Sequence, residues 1–392
     1  MFLYLIVLVL IITCIIKYDF RKDTTNKSSV FWYYTICIIL IFIAGFRYRV
    51  GGDTLHYFDT YTDWPTFSEF SKVDFFLLPY QPLWYVLAAC CKLISPDFYV
   101  LQIVQASIVS ITSFIFIKKH VKFKFTAILF WYYGVYFYFT MEIMREAICI
   151  SLWLLAVDYM IQKRYIKFYL IATIAFFFHL TAAILFLMPV IYSIIKKGNI
   201  SFIIVSIAII TSFIVISMYP DLFINILPAK LIYKVAVYYN AGEVNLFVKR
   251  DFLHIIALFL LIQVYKKIHP DKLEYIPFLK LEISILLASP ILFYITERMV
   301  NYLYIFEIII LTNSLIVFSK KRCLRFQYSC VKLFTSIIFI FLLKTYYYGR
   351  HPSKVPDTRF YNLIVPYESI FSPHSHPWRE RIYYYNEGVT ND

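Results

Sequence analysis

The sequence is poor in charged residues. Asp, Glu, Lys and Arg make up 16% of its 392 residues, whereas 61% are hydrophobic and the mean hydropathy is +0.69. Soluble domains carry about 25% charged residues, because much of their surface has to face water. A chain of this composition cannot hide its apolar surface in a water-soluble core, which excludes a soluble globular protein. The sequence predicts an integral membrane protein.

The common catalytic motifs are also missing. There is no glycine-rich phosphate loop, no HExxH motif and no pair of cysteines at metal-binding spacing, and the eight histidines show ligand spacing only in the HSH sequence at 374–376. The seven cysteines suggest reduced packing residues rather than a disulfide framework. We therefore expect no metal and no cofactor. A soluble nucleotide-binding domain is lacking too, so any glycosyl donor is expected to be lipid-linked.

Apolar segments long enough to cross a membrane, roughly 17 to 25 residues, recur along the chain. The segment that starts at residue 2 has no basic region before it and no cleavage site, which indicates a retained helix. Residues 82–95 are short and contain Lys92, which favours an interfacial or re-entrant helix. Residues 166–195 are too long for one helix, and His179 and Pro189 interrupt them, so two short helices are predicted.

The predicted fold is therefore all-α and polytopic, with about 10 to 12 transmembrane helices. The remaining candidate segments are 2–16, 30–46, 98–117, 125–141, 146–161, 199–218, 251–265, 278–296, 299–318 and 331–348.

Basic residues concentrate in six clusters, which set the predicted orientation. The clusters hold more than half of the 38 Lys and Arg residues and lie at 17–27, 118–124, 162–167, 196–199, 265–272 and 319–325. Cytoplasmic loops are enriched in Lys and Arg, so these clusters are placed inside. The net charge of +14 is then explained by these cytoplasmic clusters, so it does not indicate binding to nucleic acid. The prediction is one membrane domain over residues 1–348, with outer loops 47–97 and 219–250, and a polar tail over 349–392 on the outside.

Five arginines lie at the outer helix ends of this topology, against the usual charge bias. They are Arg47, Arg49, Arg145, Arg250 and Arg298. A guanidinium presents a planar fork of donors to phosphate oxygens, and ionisable residues at membrane depth are functional hypotheses by default. The alternative is that each side chain only reaches the interface as an anchor.

Asp53 and His179 are the candidate acid–base groups on the same face. Asp53 follows two glycines, so it is either a helix cap in a turn or a catalytic carboxylate. His179 lies in a phenylalanine-rich run, where a histidine can equally be a core residue that donates to a backbone carbonyl. Asp59 and Asp63 are predicted to be ordinary acidic residues of the loop, without a catalytic role.

Three stretches resemble the EpsG family, the Wzy-type exopolysaccharide polymerases of bacterial membranes. They are FRYRVGGDTLHY at 46–57, REAICISLWLLAVDYMIQKRYIKFYLIATIAFFFHLTAAI at 145–184, and ERMVNYLYIFEIII at 297–310. The resemblance covers roughly residues 30 to 318. By motif position it points to Arg47, Gly52, Asp53, Tyr57, Arg145, His179, Arg298 and Tyr302.

The resemblance implies polymerisation of undecaprenyl-diphosphate-linked oligosaccharide repeat units at the outer face of the bacterial cytoplasmic (inner) membrane. It also implies a multi-pass protein of GT-C-like membrane glycosyltransferase architecture. The expected partners are the lipid-linked oligosaccharide and membrane lipid, with a flippase and a chain-length regulator as further candidates.

The implied chemistry assigns roles to these side chains. A diphosphate leaves the anomeric carbon while a hydroxyl of the incoming unit attacks, so cations and a proton acceptor are needed. Arg145 and Arg298 are assigned to the diphosphates. Arg47 is assigned to a diphosphate or to loop positioning, and Asp53 or His179 to the acceptor hydroxyl. The further substrate-binding candidates are Arg49, Gly52, Tyr57, Arg250 and Tyr302.

Three other functions stay open at this point. A ligase of the O-antigen type performs the same chemistry on a different acceptor. A flippase or transporter of lipid-linked sugars is expected to show charges across the depth of the bilayer and repeat symmetry, whereas these charges cluster at one face. A membrane acyltransferase needs a buried histidine, and His179 is a candidate for one.

The topology can be tested by labelling single introduced cysteines with a membrane-impermeant thiol reagent, in a variant without native cysteines. We expect labelling from outside in intact cells within 47–97, and labelling at position 121 only after the membrane is opened, because basic loops stay in the cytoplasm. Labelling of position 121 in intact cells would reverse the orientation and remove the outer-face site.

Overall fold

The computed structural model describes residues 2–19, 26–75, 77–219, 245–315 and 363–380. Within these ranges regular structure is helical, and the extended pairing consists of isolated bridges at Arg47, Ser369 and Ser372. The all-α polytopic prediction is confirmed. The α-helices are α1 Phe2–Cys14, α2 Lys27–Gly45, α3 Gly52–Thr60, α4 Pro82–Lys92, α5 Phe98–His120, α6 Lys124–Trp131, α7 Met144–Ile161, α8 Tyr165–Phe178, α9 Ile184–Ile195, α10 Asn199–Met218, α11 Asn245–Ile268, α12 Ile276–Leu287, α13 Phe293–Asn301 and α14 Tyr304–Ser314.

Four of the described helical segments are long and apolar enough to cross a membrane by themselves. They are Phe2–Asp19, Lys27–Gly45, Phe98–His120 and Asn199–Met218. Large apolar side chains cover the outer faces of such helices: on α10, Ile200 is 77% exposed and Ile207 is 59% exposed. In water these faces would aggregate, but lipid tails solvate them, so the exposed isoleucines mark a surface that faces lipid.

The predicted division of residues 166–195 into two helices is confirmed, but Pro189, expected to interrupt them as well, lies inside α9. Residues 166–195 form two helices, because α8 ends at Phe178 and the extended backbone of His179 separates it from the turn that leads into α9. Residues 82–95 contain the 11-residue helix α4, which starts with Pro82 and ends at Lys92. At 1.5 Å per residue it is about 16 Å long, too short to cross a core of roughly 30 Å.

Other predicted segments have different bounds in the structure. The segment 278–296 is broken, because α12 ends at Leu287 and α13 begins only at Phe293. Pro290 lies in the break; it lacks a backbone N–H and disfavours helical geometry in the residue before it. The segment 299–318 begins within α13, and its own helix α14 starts at Tyr304.

The predicted segment 125–141 is an α-helix for only part of its length. The α-helix α6 ends at Trp131, and two π-helical turns, Tyr132–Tyr136 and Tyr138–Glu142, follow it. The predicted segment 331–348, most of the outer loop 219–250 and the boundary at residue 348 lie outside the described residues.

The described residues divide into two compact units. The first falls within Met1–Phe76, Tyr80–Ser151 and Leu315–Asp392, and in it α2 packs along α5 while α1 packs on α6. The second falls within Leu77–Pro79 and Leu152–Ser314, and in it α12 packs against both α10 and α11. The candidate site residues are distributed over both units.

Candidate functional site

Arg47 lies inside the first unit, directly after α2. Its side chain is 0% exposed. Nε donates to the carbonyl of Val50 at 2.9 Å, Nη2 donates to Oγ1 of Thr54 at 2.7 Å, and Nη1 donates to the carbonyl of Ala44. Burial lowers the pKa of Arg47 to about 10, so the guanidinium stays charged at neutral pH. Because its oxygen partners lie at the end of α2, in the loop and in α3, Arg47 ties the end of α2 to the start of α3, and Sδ of Met144 lies 3.5 Å from Nη2 as a further acceptor.

Gly51 and Gly52 bring this loop against the end of the second π-helical turn. Gly51 has φ +103°, and a Cβ there would stand 2.2 Å from the carbonyl oxygen of Met141. L-residues rarely adopt this backbone region, so both the conformation and the contact require glycine. At Gly52 a Cβ would stand 2.6 Å from a carboxylate oxygen of Glu142.

Glu142 supplies the carboxylate that caps α3. Its Oε2 accepts the N–H of Gly52 at 2.7 Å, and Asp53 donates its backbone N–H to the same carboxylate. Orphan N–H groups and the helix dipole make this end of a helix favourable for an anion. Burial raises the pKa of Glu142 to about 7, and the nearby charge of Asp53 contributes to the rise.

Arg145 is placed by the break that ends the π-helical turns. The N–H of Ile143 donates to Tyr138 O at 3.0 Å, and α7 begins at Met144. Nε of Arg145 donates to the hydroxyl of Tyr57 at 2.9 Å and Nη1 to Oε1 of Gln81 at 3.2 Å. Among the described residues its hydrogen-bond partners are therefore neutral, while the charge of Asp53 acts on it from nearby.

Aromatic rings surround the guanidinium of Arg145. Its Cζ lies 4.2 Å from the ring centroid of Tyr80 and 5.7 Å from that of Tyr57, distances typical of cation–π contacts. The ring of Trp84 lies 5.6 Å from that of Tyr57. Within the described chain, the hydroxyl of Tyr80 and Nε1 of Trp84 are buried without a hydrogen-bond partner. Two unused donors therefore lie in the aromatic group around a cation.

The described part of the C-terminal tail pairs with the loop that carries these residues. The N–H of Tyr48 donates to Glu368 O at 2.8 Å, and the N–H of Gly51 donates to Leu363 O at 2.8 Å. Arg49 forms ion pairs with Asp59 at 2.7 Å and with Glu380 at 2.8 Å. The sequence alone did not assign a role to the tail. In the structure its described residues hold the loop in place through these hydrogen bonds and ion pairs, and Arg49 is one of the residues that connect the two.

The second unit contains a hydrogen-bonded chain from His179 to Tyr302. Nδ1 of His179 lies 2.8 Å from Oγ1 of Thr181 and accepts the backbone N–H of Thr181 at 3.3 Å. Oγ1 of Thr181 lies 2.9 Å from the hydroxyl of Tyr302. Because Nδ1 is an acceptor, the neutral imidazole carries its proton on Nε2. His179 can therefore donate a hydrogen bond from Nε2, and Thr181 is a member of this chain that the sequence motifs did not single out.

The structure thus brings together two groups of candidate residues. In the first unit Arg47, Gly52, Asp53, Tyr57 and Arg145 meet around the start of α3. In the second unit His179 meets Tyr302, while Arg298 lies in the last turn of α13 and Arg250 lies in α11. The sequence places the candidate residues of both groups on the outer face of the membrane, and that location stays a prediction.

Two further groups carry chemistry that the sequence analysis did not assign. Glu142 is visible in the sequence TMEIMREA, but only the folded loop shows that it caps α3. His254, Glu282 and Glu307, in α11, α12 and α14, place one ligand atom each within 4.8 Å of one another. No spacing in the sequence could reveal this second group, since its members lie 28 and 25 residues apart.

A protein family matches most of the chain. The model of the EpsG family matches residues 30–369. The chain belongs to the EpsG family. Membership places it among the membrane proteins of polysaccharide biosynthesis. Neither the curated proteins nor the solved structures contain a match.

The EpsG match includes the residues of both groups and reaches into the tail. Residues 363–369, which pair with the loop around Arg47, fall inside it, whereas Glu380 and Arg379 fall beyond its end. The carbonyls of Leu363 and Glu368, which accept N–H groups of the loop, therefore lie within the match, and Ile370, whose N–H donates to Phe46 O, directly follows it.

Replacing Gly51 by Ala tests the turn that carries the site. We expect the free energy of unfolding to fall by about 2 kcal/mol or more, because the new Cβ would clash with the backbone of Met141 and because an alanine at this positive φ is strained. Gly134→Ala is the matched control, since a Cβ at Gly134 meets nothing within 4 Å. Thermal unfolding in detergent, followed by a dye that reacts with exposed thiols, measures both. Equal melting temperatures for the two variants would contradict the close approach.

The pKa of Glu142 predicts how stability depends on pH. Its pKa in the folded protein is raised to about 7 from 4.5, so the folded state binds the proton more tightly. The free energy of unfolding should therefore fall as pH rises from about 4.5 to 7, and level off above that. Glu142→Gln should flatten this slope. Melting temperatures at pH 5, 6, 7 and 8 measure it, and identical slopes in both proteins would refute the assignment.

Proposed function

We propose that this EpsG-family chain polymerises undecaprenyl-diphosphate-linked oligosaccharide repeat units at the outer face of the bacterial cytoplasmic membrane. The observation that carries the proposal is Arg145, a buried cation held by neutral partners beside unused hydrogen-bond donors. Family membership supports the substrate class, since it concerns polysaccharide biosynthesis in a membrane.

The environment of Arg145 suits a diphosphate. Nε and Nη1 bind Tyr57 and Gln81, whereas Nη2 has no hydrogen-bond partner among the described residues. A charged donor in a site with little water acts more strongly on an anion than it does in solution. The hydroxyl of Tyr80 and Nε1 of Trp84 add neutral donors for phosphate or sugar oxygens. An aromatic surface of this kind also stacks well on sugar rings.

Arg47 and Arg145 differ in what they can do for such a substrate. Arg47 is 0% exposed and donates to its own loop, so we assign it to positioning. Arg145 is 9% exposed and keeps donors available. Arg298, in the last turn of α13, also remains our candidate for a diphosphate contact.

For the acceptor hydroxyl we favour Asp53 as the proton acceptor. It stands in the first turn of α3, and its charge is felt by both Glu142 and Arg145. His179 is less suited to the role of base, because its Nδ1 is engaged as an acceptor and its neutral ring presents an N–H at Nε2. We assign His179 to hydrogen-bond donation, through a ring held by Thr181.

Substitution of Arg145 separates a substrate grip from a membrane anchor. We expect Arg145→Ala to lower polymer formation about a hundredfold, equivalent to about 3 kcal/mol, because a contact strengthened in the transition state is lost. Arg145→Lys should restore only part of the rate, since an ammonium lacks the planar fork. An anchor predicts a silent Arg→Lys change. Arg298→Ala is expected to behave like Arg145→Ala.

Polymer length on gels and the level of single lipid-linked repeat units measure the effect in cells that depend on this chain. Arg164→Ala and Arg164→Lys are the matched controls, because Arg164 is exposed at the start of α8. Single units should accumulate at the outer face in the Arg145 variants. Accumulation of units inside the cell would favour a flippase, and normal chains that fail to reach their final acceptor would favour a ligase. Full-length polymer from both Ala variants would overturn the assignment.

A further inference from the structure

Three helices of the second unit bring ionisable side chains to one point. His254 lies on α11, Glu282 on α12 and Glu307 on α14, and these helices pack against one another. Nε2 of His254 stands 3.2 Å from Oε2 of Glu307 and 3.8 Å from Oε1 of Glu282. The three ligand atoms lie within 4.8 Å of one another.

Glu282 is the member that demands an explanation. Its side chain is 0% exposed, and neither of its carboxylate oxygens accepts a hydrogen bond from any residue the structure describes. A buried carboxylate without a partner is strongly unfavourable in an apolar surrounding, and both its helical neighbours Leu281 and Ile283 are buried apolar residues. The distance of 3.8 Å to His254 is too long for a hydrogen bond. A proton on the carboxyl would remove the charge, but both oxygens would still lack a hydrogen-bond partner among the described residues.

We propose that His254, Glu282 and Glu307 bind a divalent first-row transition-metal ion of the Zn²⁺ or Mn²⁺ type. One imidazole nitrogen and two carboxylate oxygens are a ligand set that suits such ions. Bonds of about 2.0 to 2.1 Å in a tetrahedron separate ligand atoms by about 3.3 Å, and 3.2 and 3.8 Å are close to that spacing. Three protein ligands leave a coordination position open.

Charge balance supports a cation over a proton. Two carboxylates and a neutral imidazole carry two negative charges, which one divalent ion neutralises inside a low-dielectric region. Protons on His254 and Glu282 would also remove the excess charge, but the buried carboxyl of Glu282 would then still have no hydrogen-bond partner among the described residues. The side chains of His254 and Glu307 are 22% and 26% exposed, which gives an ion access to the buried oxygens of Glu282. The ion would tie α11, α12 and α14 together, and the polymerase proposal does not depend on it.

Metal binding by the purified full-length chain tests the proposal. The protein, prepared in lipid nanodiscs with a tag that lacks histidine, is stripped with a chelator and titrated with Zn²⁺ or Mn²⁺, with Mg²⁺ for comparison. We expect about one tightly bound Zn²⁺ or Mn²⁺ per chain, measured by elemental analysis and by Mn²⁺ spin resonance. His254→Ala and Glu282→Gln should weaken binding more than the roughly tenfold to hundredfold that loss of an outer-shell partner causes.

His269→Ala is the matched control. His269 directly follows the last residue of the same helix, α11, 15 residues after His254, and its Nε2 lies 3.2 Å from the backbone oxygen of Asn313 rather than at the cluster. This variant should bind metal as the wild type does. Equal binding by wild type, His254→Ala and Glu282→Gln, or no bound metal in the stripped and reloaded wild type, would overturn the proposal.

A second measurement covers the case in which Glu282→Gln fails to fold. Glu307 is partly exposed, so Glu307→Gln should be better tolerated. Zn²⁺ should raise the melting temperature of the stripped wild type and of His269→Ala, because a ligand that binds only the folded state stabilises it. It should raise that of Glu307→Gln much less. The same rise in all three proteins would show binding elsewhere and would also overturn the proposal.

Discussion

The first unit depends on a guanidinium buried among backbone carbonyls. A buried cation is tolerated only when its donors are satisfied, and Arg47 meets this condition with oxygens from the residues on either side of it. The path of the loop between α2 and α3 is thereby set. That path carries Gly51 against Met141, which in turn puts the N-terminus of α3 within reach of Glu142. The placement of Asp53 and Tyr57 on the first turns of α3, and of Arg145 beside Tyr57, follows from it.

Arginines that look alike in the sequence have different physical roles in the fold. Arg47 is buried and donates its hydrogen bonds to nearby residues of the chain. Arg49 is neutralised by ion pairs with Asp59 and Glu380. Arg145 is hydrogen-bonded to neutral groups and keeps further N–H donors available. Only the last arrangement leaves charge for a ligand. An excess of arginine at outer helix ends therefore indicates a functional region, but the burial and the partners of each side chain decide which of them can touch a substrate.

Much of the architecture could be predicted from hydropathy, because lipid imposes the same requirement on each span. The helix break at His179 and the short helix α4 followed from length and from polar interruptions. Local backbone events could not be predicted this way. The break after Leu287 depends on Pro290, and the π-helical turns before Glu142 depend on packing that periodicity does not report. The group of His254, Glu282 and Glu307 was out of reach for another reason, since only tertiary packing brings α11, α12 and α14 together.

The tail explains how an irregular loop can hold a preorganised site. Residues 46–51 lie outside any helix, so their backbone groups need partners that the loop itself cannot provide. Glu368 O and Leu363 O accept the N–H groups of Tyr48 and Gly51, and Phe46 O accepts the N–H of Ile370. Without these bonds the N–H groups would turn to water, and the loop would sample other conformations. Electrostatic catalysis is most effective when charges stand in place before the substrate arrives, because no reorganisation is then needed at the moment of reaction. The end of the chain therefore contributes to the site by restricting the loop, although its own residues supply none of the candidate catalytic groups.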